Sequence, residues 1–272
     1  MAEFTATEHR LVIPDALGAA SKPLIICFHG SGESCSPTWD ELAGILAEQL
    51  GLRVLLYNRG RQHPPKPAQA TADLRAYLLQ EKLSGPYVLV AHSYGGTFAR
   101  TFMGHRRGIA PGDIAGAILV ETGQEGGLDP KLEKVQYARC ALGARPLSVV
   151  RGNSFLEKWS ELEAAERGRE GGGNLSPSSG EGLRVQREML QLSDEEDERL
   201  KKKQLGLSRN SRYVHVPDCG HNVIRDRPDV VAAEVAWVLG NVKAVDEGQW
   251  KESSRASCLR ALRRLSDRLG LR

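Results

Sequence analysis

The chain has 272 residues, of which 40% are hydrophobic and 26% are charged, and its formal net charge is +3. This length suits one large domain with a full core, and so small and dispersed a charge does not favour nucleic acid as a partner. No run approaches the roughly 18 apolar residues that a membrane span needs. The first ten residues also lack the basic-then-apolar pattern of a secretory signal.

The cysteines indicate a reducing compartment. They are odd in number, widely spaced and without a CxxC pair, so free thiols are the simplest interpretation. We therefore expect a cytoplasmic protein. The sequence predicts neither a metal nor a cofactor. The five cysteines are Cys27, Cys35, Cys140, Cys219 and Cys258.

Short apolar runs alternate with helical patterns, which is typical of a mostly parallel sheet covered by helices on both faces. The predicted fold class is therefore α/β. His9–Ile13 is expected to add an antiparallel strand at one edge. The runs are Leu24–Phe28, Arg53–Tyr57, Tyr87–Ala91, Ala115–Val120, Pro146–Val150 and Tyr213–Val216.

Helix-end signals and apolar spacing predict four helices around this sheet. The first has Ser36 as its N-cap, Pro37 at its first position and Gly51 just past its end. The second carries Leu74, Tyr77 and Leu78 on one face. The third follows the third apolar run and continues through Arg107, and the fourth begins at Pro228.

Two segments do not fit the alternation. Residues 151–208 combine a Gly/Ser-rich patch at 171–180 with a charged helix over Leu183–Leu205. We interpret this segment as a flexible loop plus a lid or edge helix, inside a single domain that spans residues 1–243. Residues 244–272 are predicted to form a basic amphipathic helical tail. The tail either packs on the domain or binds a membrane surface, a partner or a second copy of the chain.

The sequence Ala91-His92-Ser93-Tyr94-Gly95-Gly96 lies between an apolar strand and a helical stretch. A nucleophilic serine on such a strand-to-helix turn needs small residues two positions before and after it, because larger ones collide with the neighbouring backbone. Ala91 and Gly95 meet this requirement. Ser93 is therefore the candidate nucleophile. The alternative interpretation is an N-cap serine with a flexible glycine pair.

The first predicted parallel strand runs into His29-Gly30-Ser31-Gly32, a turn that could help to form an oxyanion hole. Acyl transfer needs two N–H groups that point at the developing negative charge. We expect the backbone N–H of Tyr94 to be one and that of Ser31 to be the other. Gly32 is the near alternative and a candidate substrate contact. A plain glycine turn is the competing interpretation, and His29 is expected to be structural.

The candidate base is His221, one of seven histidines. It follows the last strand in a glycine-containing loop and precedes a proline-started helix, an arrangement that returns a base over the nucleophile. His92 is adjacent to Ser93, but neighbouring side chains of a strand point to opposite faces. A solvent-exposed loop histidine is the alternative for His221.

The candidate acid is Glu121, which ends the strand Ala115–Val120. A carboxylate at this position is costly to bury unless a donor meets it, and the ring N–H of His221 would supply that donor. One usual place for the acid, just after Pro146–Val150, holds none. Glu157 would face solvent, and Asp129 is the fallback. Asp218 is too near the histidine along the chain. The alternative interpretation of Glu121 is an exposed strand-end residue.

With these residues the chain resembles the α/β-hydrolase superfamily, and in particular its small-capped members, over about Leu11–Asn241. The resemblance implies Ser93 as nucleophile, His221 as base and activity on esters, lactones or thioesters. Some relatives place the acid after the sheet's sixth strand, which supports Glu121. Further matches are Gly85-Pro86-Tyr87-Val88-Leu89-Val90, Tyr57-Asn58-Arg59-Gly60 and Arg227-Pro228-Asp229-Val230-Val231.

The sequence therefore predicts a serine hydrolase that acts on a small to medium apolar substrate, with Phe155 and Trp159 covering the site. Relatives of this fold also include lyases, cyclases and hormone receptors. The alternatives are thus a non-hydrolytic lyase or cyclase that uses the same site, and a ligand-binding protein with little turnover.

Overall fold

The computed structural model describes residues 9–15, 18–59, 66–104, 114–124, 126–170 and 177–242. Seven strands in these ranges form one sheet, in the order β1-β3-β2-β4-β5-β6-β7. Strand β1 is antiparallel to β3, and all the other neighbours are parallel. The strands are β1 Arg10–Val12, β2 Leu24–Phe28, β3 Val54–Tyr57, β4 Tyr87–His92, β5 Ile114–Val120, β6 Gly143–Arg151 and β7 Ser208–His215.

The predicted α/β class is confirmed, and each predicted strand is present. β2 has the predicted ends, whereas the other strands differ at one end or both. Every residue of β2, β3, β4 and β5 is buried. Parallel strands that are covered on both faces read as near-continuous apolar runs, which is why the sequence showed them clearly. The largest differences are at β6 and β7. β6 begins three residues before the predicted Pro146, and β7 begins five before the predicted Tyr213.

Helices cover both faces of the sheet. One buried cluster joins the sheet to α1, α7 and α8, and the other joins it to α2 and α3. The helices of the described ranges are α1 Asp40–Leu50, α2 Pro67–Gln80, α3 Gly95–Gly104, α4 Pro130–Ala138, α5 Leu156–Glu170, α6 Pro177–Lys203, α7 Val223–Asp226 and α8 Pro228–Asn241.

The predicted start of α1 is wrong. The helix begins at Asp40 with Trp39 at the N-cap position. The Ser36 hydroxyl does not cap the backbone: its Oγ donates to both carboxylate oxygens of Asp40, at 2.9 and 2.8 Å. The predicted end is confirmed, because Gly51 has a φ of 61° and its N–H donates to the Ala47 carbonyl at 3.0 Å.

Residues 151–208 contain more helix than predicted. Helix α6 begins at Pro177, six residues before the predicted Leu183, so part of the Gly/Ser-rich patch is helical. Helix α5 precedes it, and a 3-10 turn at Gln204–Leu207 follows it. The two helices pack against each other and α6 also contacts β6. No helix within the described ranges is long and apolar enough to cross a membrane.

Two predictions fall outside the described residues. Helix α3 is described to Gly104, so the predicted extension through Arg107 lies beyond that point. The predicted tail at 244–272 is also outside the described residues.

Candidate active site

Ser93 lies at a strained turn between β4 and α3. Its backbone φ is 51°, a left-handed conformation that side chains rarely adopt. Its N–H still donates to the Val120 carbonyl at 3.0 Å, so Ser93 continues the β4–β5 ladder by one hydrogen bond before the chain turns. A Cβ on Gly95 would lie 2.0 Å from the Phe28 carbonyl oxygen. The steric argument that singled out this turn therefore holds in the structure.

Glu121 occupies the matching position on the neighbouring strand. Its φ is 52°, and its N–H donates to the Val150 carbonyl at 2.8 Å. The side chain is fully buried, which excludes the exposed strand-end interpretation. Ser93 and Glu121 thus leave adjacent parallel strands by the same backbone turn, and both side chains reach one cavity.

His221 contacts this carboxylate. Its Nδ1 lies 3.0 Å from Glu121 Oε2. Because a carboxylate accepts, Nδ1 carries the proton, and Nε2 keeps a lone pair that can take a proton from a hydroxyl. His221 is 44% exposed, and its ring therefore stands at the rim of the cavity.

The nucleophile and the base line the same cavity. Within the described part of the chain, no hydrogen bond joins Ser93 Oγ to His221 Nε2, although both side chains line a cavity of about 230 Å³. Catalytic hydrogen bonds are often long before substrate binds. The other lining residues are Glu121, Gln124, Ser154 and Lys201.

The Glu121 carboxylate is held by several donors. Gly152 N–H donates to Oε1 at 2.7 Å, and the Ser154 hydroxyl donates to Oε2 at 2.5 Å. Burial by itself raises the pKa of Glu121, but the contacts with His221, Lys201 and Ser154 outweigh it and lower the pKa to about 2. Glu121 is therefore an anion at neutral pH. Ser154 and Lys201 were not recognised in the sequence.

The other candidate acids lie elsewhere. Asp129 caps α4, since its carboxylate accepts from Lys131 N–H at 2.7 Å. Asp218 pairs with Arg227 at 3.1 Å. Glu157 is exposed in the first turn of α5, as expected. None of the three lines the cavity that contains Ser93.

The turn after β2 packs directly against the nucleophile. A Cβ on Gly30 would lie 3.4 Å from Ser93 Cβ. Among the described residues, neither Ser31 N–H nor Tyr94 N–H has a backbone acceptor. Neither residue is among the described residues that line the cavity of Ser93, so their role as oxyanion donors stays a prediction. Gly32 follows with a φ of 71°.

A buried arginine holds this turn in place, a role the sequence did not reveal. Arg59 donates to the His29 carbonyl at 2.6 Å and to the Gly30 carbonyl at 2.7 Å. Its guanidinium also lies 4.0 Å from the centre of the Phe98 ring. In the sequence, Arg59 stood out only as part of the family match at Tyr57-Asn58-Arg59-Gly60.

Two further histidines near the turn are buried and neutral. Burial, with Arg59 nearby, lowers the pKa of His29 to about 3, and burial lowers that of His92 to about 4. The His92 ring donates from Nε2 to the His221 carbonyl at 2.9 Å, so it supports the base instead of acting as one. His29 is structural, as expected.

Three residues predicted to bind substrate do not line the cavity, namely Gly32, Phe155 and Trp159. Phe155 lies beside Lys158, and Trp159 lies beside Arg187 of α6. Their role in substrate binding stays a prediction. Over the described ranges, no group of three or more His, Cys, Asp or Glu side chains could hold a metal ion.

A mostly parallel sheet with a serine at a strained strand-to-helix turn is typical of α/β-hydrolases. A family model described as "Alpha/beta hydrolase family" matches residues 25–234, which is most of the chain. The chain belongs to the α/β-hydrolase family, as its resemblance indicated.

Solved structures share this fold. The esterase RhEst1 from Rhodococcus sp. ECU1013 is 15% identical with a TM-score of 0.51, over 86% of this chain and 94% of that one. Proline iminopeptidase from Mycobacterium smegmatis is 12% identical with a TM-score of 0.52, over 88% of this chain and 96% of that one. Likeness at these identities concerns the fold alone.

A curated protein from Hormonema carpetanum, named "Probable transporter efuK", is 25% identical over 82% of this chain and 40% of its own length. This chain therefore spans less than half of that relative.

Proposed function

We propose that this chain is a serine hydrolase that cleaves a carboxylic ester, lactone or thioester through an acyl-enzyme on Ser93. One observation carries the proposal: the buried Glu121 carboxylate lies 3.0 Å from His221 Nδ1, beside a cavity that Ser93 also lines. A carboxylate that orients an imidazole next to a hydroxyl is the arrangement that makes serine nucleophilic.

In the proposed reaction, Ser93 Oγ attacks the substrate carbonyl carbon while His221 Nε2 takes the hydroxyl proton. The resulting oxyanion accepts hydrogen bonds from Ser31 N–H and Tyr94 N–H. Collapse of this intermediate breaks the bond to the leaving alcohol or thiol, which receives the proton from His221. Water then attacks the acyl-enzyme with His221 as base, and the acid product leaves. Glu121 stays ionised throughout and stabilises the imidazolium.

The size of the cavity supports a small acyl group. At about 230 Å³ it is below the roughly 300 Å³ at which drug-sized pockets begin. The six described side chains that line it are polar, so the preference for an apolar substrate rests on the sequence interpretation alone. A cytoplasmic location, and association through residues 244–272, likewise stay predictions.

The proposal is tested by a fluorophosphonate probe together with turnover of short p-nitrophenyl esters. We expect covalent labelling of Ser93 and ester hydrolysis in the native chain, and neither in Ser93→Ala. Ser160→Ala is the matched control, because Ser160 is exposed on α5, and it should behave like the native chain.

The outcomes separate the alternatives. Labelling without turnover of any ester would favour a lyase, a cyclase or a ligand-binding protein that uses the same site. A folded chain that shows neither labelling nor turnover refutes the serine hydrolase proposal.

A further inference from the structure

A buried lysine lies against the carboxylate of the proposed catalytic triad. Lys201 Nζ, from α6, is 3.4 Å from Glu121 Oε1, and the two side chains are 3% and 0% exposed. A buried charge is tolerated only when it is paired. The two residues are far apart in the sequence, because their positions differ by 80. The contact is therefore tertiary, and it joins α6 to the residue that follows β5.

Lys201 is itself held in place. One turn earlier on α6, Asp197 forms an ion pair with it and is 1% exposed. Asp197 also accepts from Arg151 Nε at 2.9 Å and from Gln124 Nε2 at 2.5 Å. Arg151 in turn forms an ion pair with Asp194. The ion pair with Asp197 therefore restrains Lys201 on the side of α6 that faces Glu121.

The two oxygens of Glu121 have separate partners. Oε2 faces His221 and Ser154, whereas Oε1 faces Lys201 and the Gly152 N–H. A cation on Oε1 restricts rotation of the carboxylate and favours its ionised form. That is the state in which Oε2 can accept from His221.

We propose that Lys201 is a positioning residue of the active site, which holds the Glu121 carboxylate against His221 and keeps it anionic, so that α6 forms part of the catalytic apparatus. This inference rests on the proposed hydrolase function. A role in binding an anionic substrate is not favoured, because both neighbours of the ammonium group are carboxylates.

The charged and titratable groups around the acid come from several elements. His221 and Ser154 contact Glu121 from the loops after β7 and β6. The remaining groups are Lys201, Asp197 and Asp194 on α6, Arg151 on β6, His92 on β4 and Cys219 after β7.

The test compares Lys201→Met with Lys202→Met. The two lysines are neighbours on α6, but Lys202 is 51% exposed and pairs with Glu198. In Lys201→Met the loss of a positive charge makes it easier for the Glu121–His221 pair to bind a proton. We expect the acid limb of the pH profile of kcat/KM to move to higher pH by about half a pH unit or more. We also expect kcat at the pH optimum to fall roughly tenfold.

Lys201→Arg separates charge from geometry. Arginine keeps the positive charge but not the shape of the ammonium group. We expect its acid limb to return to the native position while kcat stays reduced. Lys202→Met should keep the native limb and the native kcat. A native profile in Lys201→Met overturns the inference.

A second readout does not need turnover. The ring of His221 is followed by NMR as the pH changes, with His221→Gln to assign its signals. If the native chain hydrolyses nothing, the proposed function fails, but a shifted ring titration in Lys201→Met still supports the contact. An unshifted titration refutes it.

Lys201→Met leaves Asp197 with one cation fewer and could fail to fold. Lys201→Met combined with Asp197→Asn removes one charge of each sign and should fold. Its acid limb should still move up, but by less than in Lys201→Met, because the Asp197 anion is lost as well. If neither variant folds while Lys202→Met does, Lys201 is a structural residue and the positioning role is wrong.

Discussion

Around Ser93 the chain is held by close backbone packing, whereas around Glu121 it is held by buried charges. A Cβ on Gly95 would overlap the Phe28 carbonyl, and Gly30 lies against the Ser93 side chain. On the other side of the cavity, the ammonium group of Lys201 forms ion pairs with two carboxylates, those of Glu121 and Asp197. His221 connects the two sides, because it contacts Glu121 and its carbonyl accepts from His92.

This difference separates two requirements of the proposed reaction. The nucleophile and the oxyanion donors need a fixed backbone, and small residues allow it. The acid needs a fixed charge, and only charged partners can hold one in a buried position. Changes on the first side should therefore act through geometry, and changes on the second through charge.

The largest effect is expected from Gly95→Ala, which tests the packed side. The added methyl would lie 2.0 Å from a backbone oxygen that cannot move away, so we expect a loss of more than about 3 kcal/mol of unfolding free energy, or no folded protein. Urea denaturation followed by circular dichroism measures it. Gly44→Ala in α1 is the control: nothing lies within 4 Å of its Cβ, and a gain of about 0.5 to 1 kcal/mol is expected. Native-like stability in Gly95→Ala would disprove the close packing.

Glu121→Gln tests the charged side. The amide could no longer stabilise the imidazolium, and it would allow the wrong tautomer of His221, so kcat should fall by about 10³ to 10⁴. Steady-state kinetics with a p-nitrophenyl ester measures the effect. In the control, Asp129→Asn, kcat should stay within about twofold because asparagine also caps helices. A large loss in Asp129→Asn, with near-native Glu121→Gln, would reverse the assignment of the acid.

Acid should weaken the two sides in different pH windows. His29 and His92 have pKa values lowered to about 3 and about 4, so below pH 6.5 the unfolded chain binds protons that the folded chain does not. The free energy of unfolding should then fall by roughly 1.4 kcal/mol per pH unit for each ring. Glu121, whose pKa is lowered to about 2 from 4.5, adds a loss only between about pH 4.5 and 2.

Denaturation at several pH values separates these contributions. His92→Gln should reduce the slope between pH 6.5 and 4.5, while Glu121→Gln should reduce it only below pH 4.5. If His92→Gln leaves the upper slope at its native value, the ring is not neutral in the folded chain.

The smallest effect is expected from Arg59→Lys. Lysine keeps the charge but cannot donate to both the His29 and Gly30 carbonyls in the fork geometry of a guanidinium. The oxyanion turn should loosen, and kcat should fall roughly tenfold with little change in KM. Arg10→Lys alters an exposed pair with Asp40 and should change neither constant. A rise in KM alone would mean that the turn binds substrate but not the oxyanion.

The packed side was largely predictable because its signals are local. Small residues around Ser93 and apolar runs that end in turns occupy a few consecutive positions. Glu121 was found by chain order and by the cost of burying a carboxylate. The start of α1 was missed because the Ser36 hydroxyl contacts the Asp40 side chain instead of the backbone.

The charged partners of Glu121 were missed because their contacts join distant positions. Lys201, Lys202 and Lys203 are consecutive, yet only the first is buried. The same side carries Asp197 on α6 and Gln204 in the 3-10 turn that follows it, at helical spacing and nearly fully buried. Apolar periodicity does not detect such a face, because its members are polar. Charged and polar residues at i, i+4 and i+7 would have been the signal.

The most direct test of the account is to find the covalent intermediate. The protein is mixed with p-nitrophenyl acetate, quenched in acid within the first turnovers and analysed by peptide mass spectrometry. The account predicts one acetyl group on Ser93, absent in Ser93→Ala and formed far more slowly in Glu121→Gln. An acetyl group on any other residue, or hydrolysis with no adduct on Ser93, would contradict it.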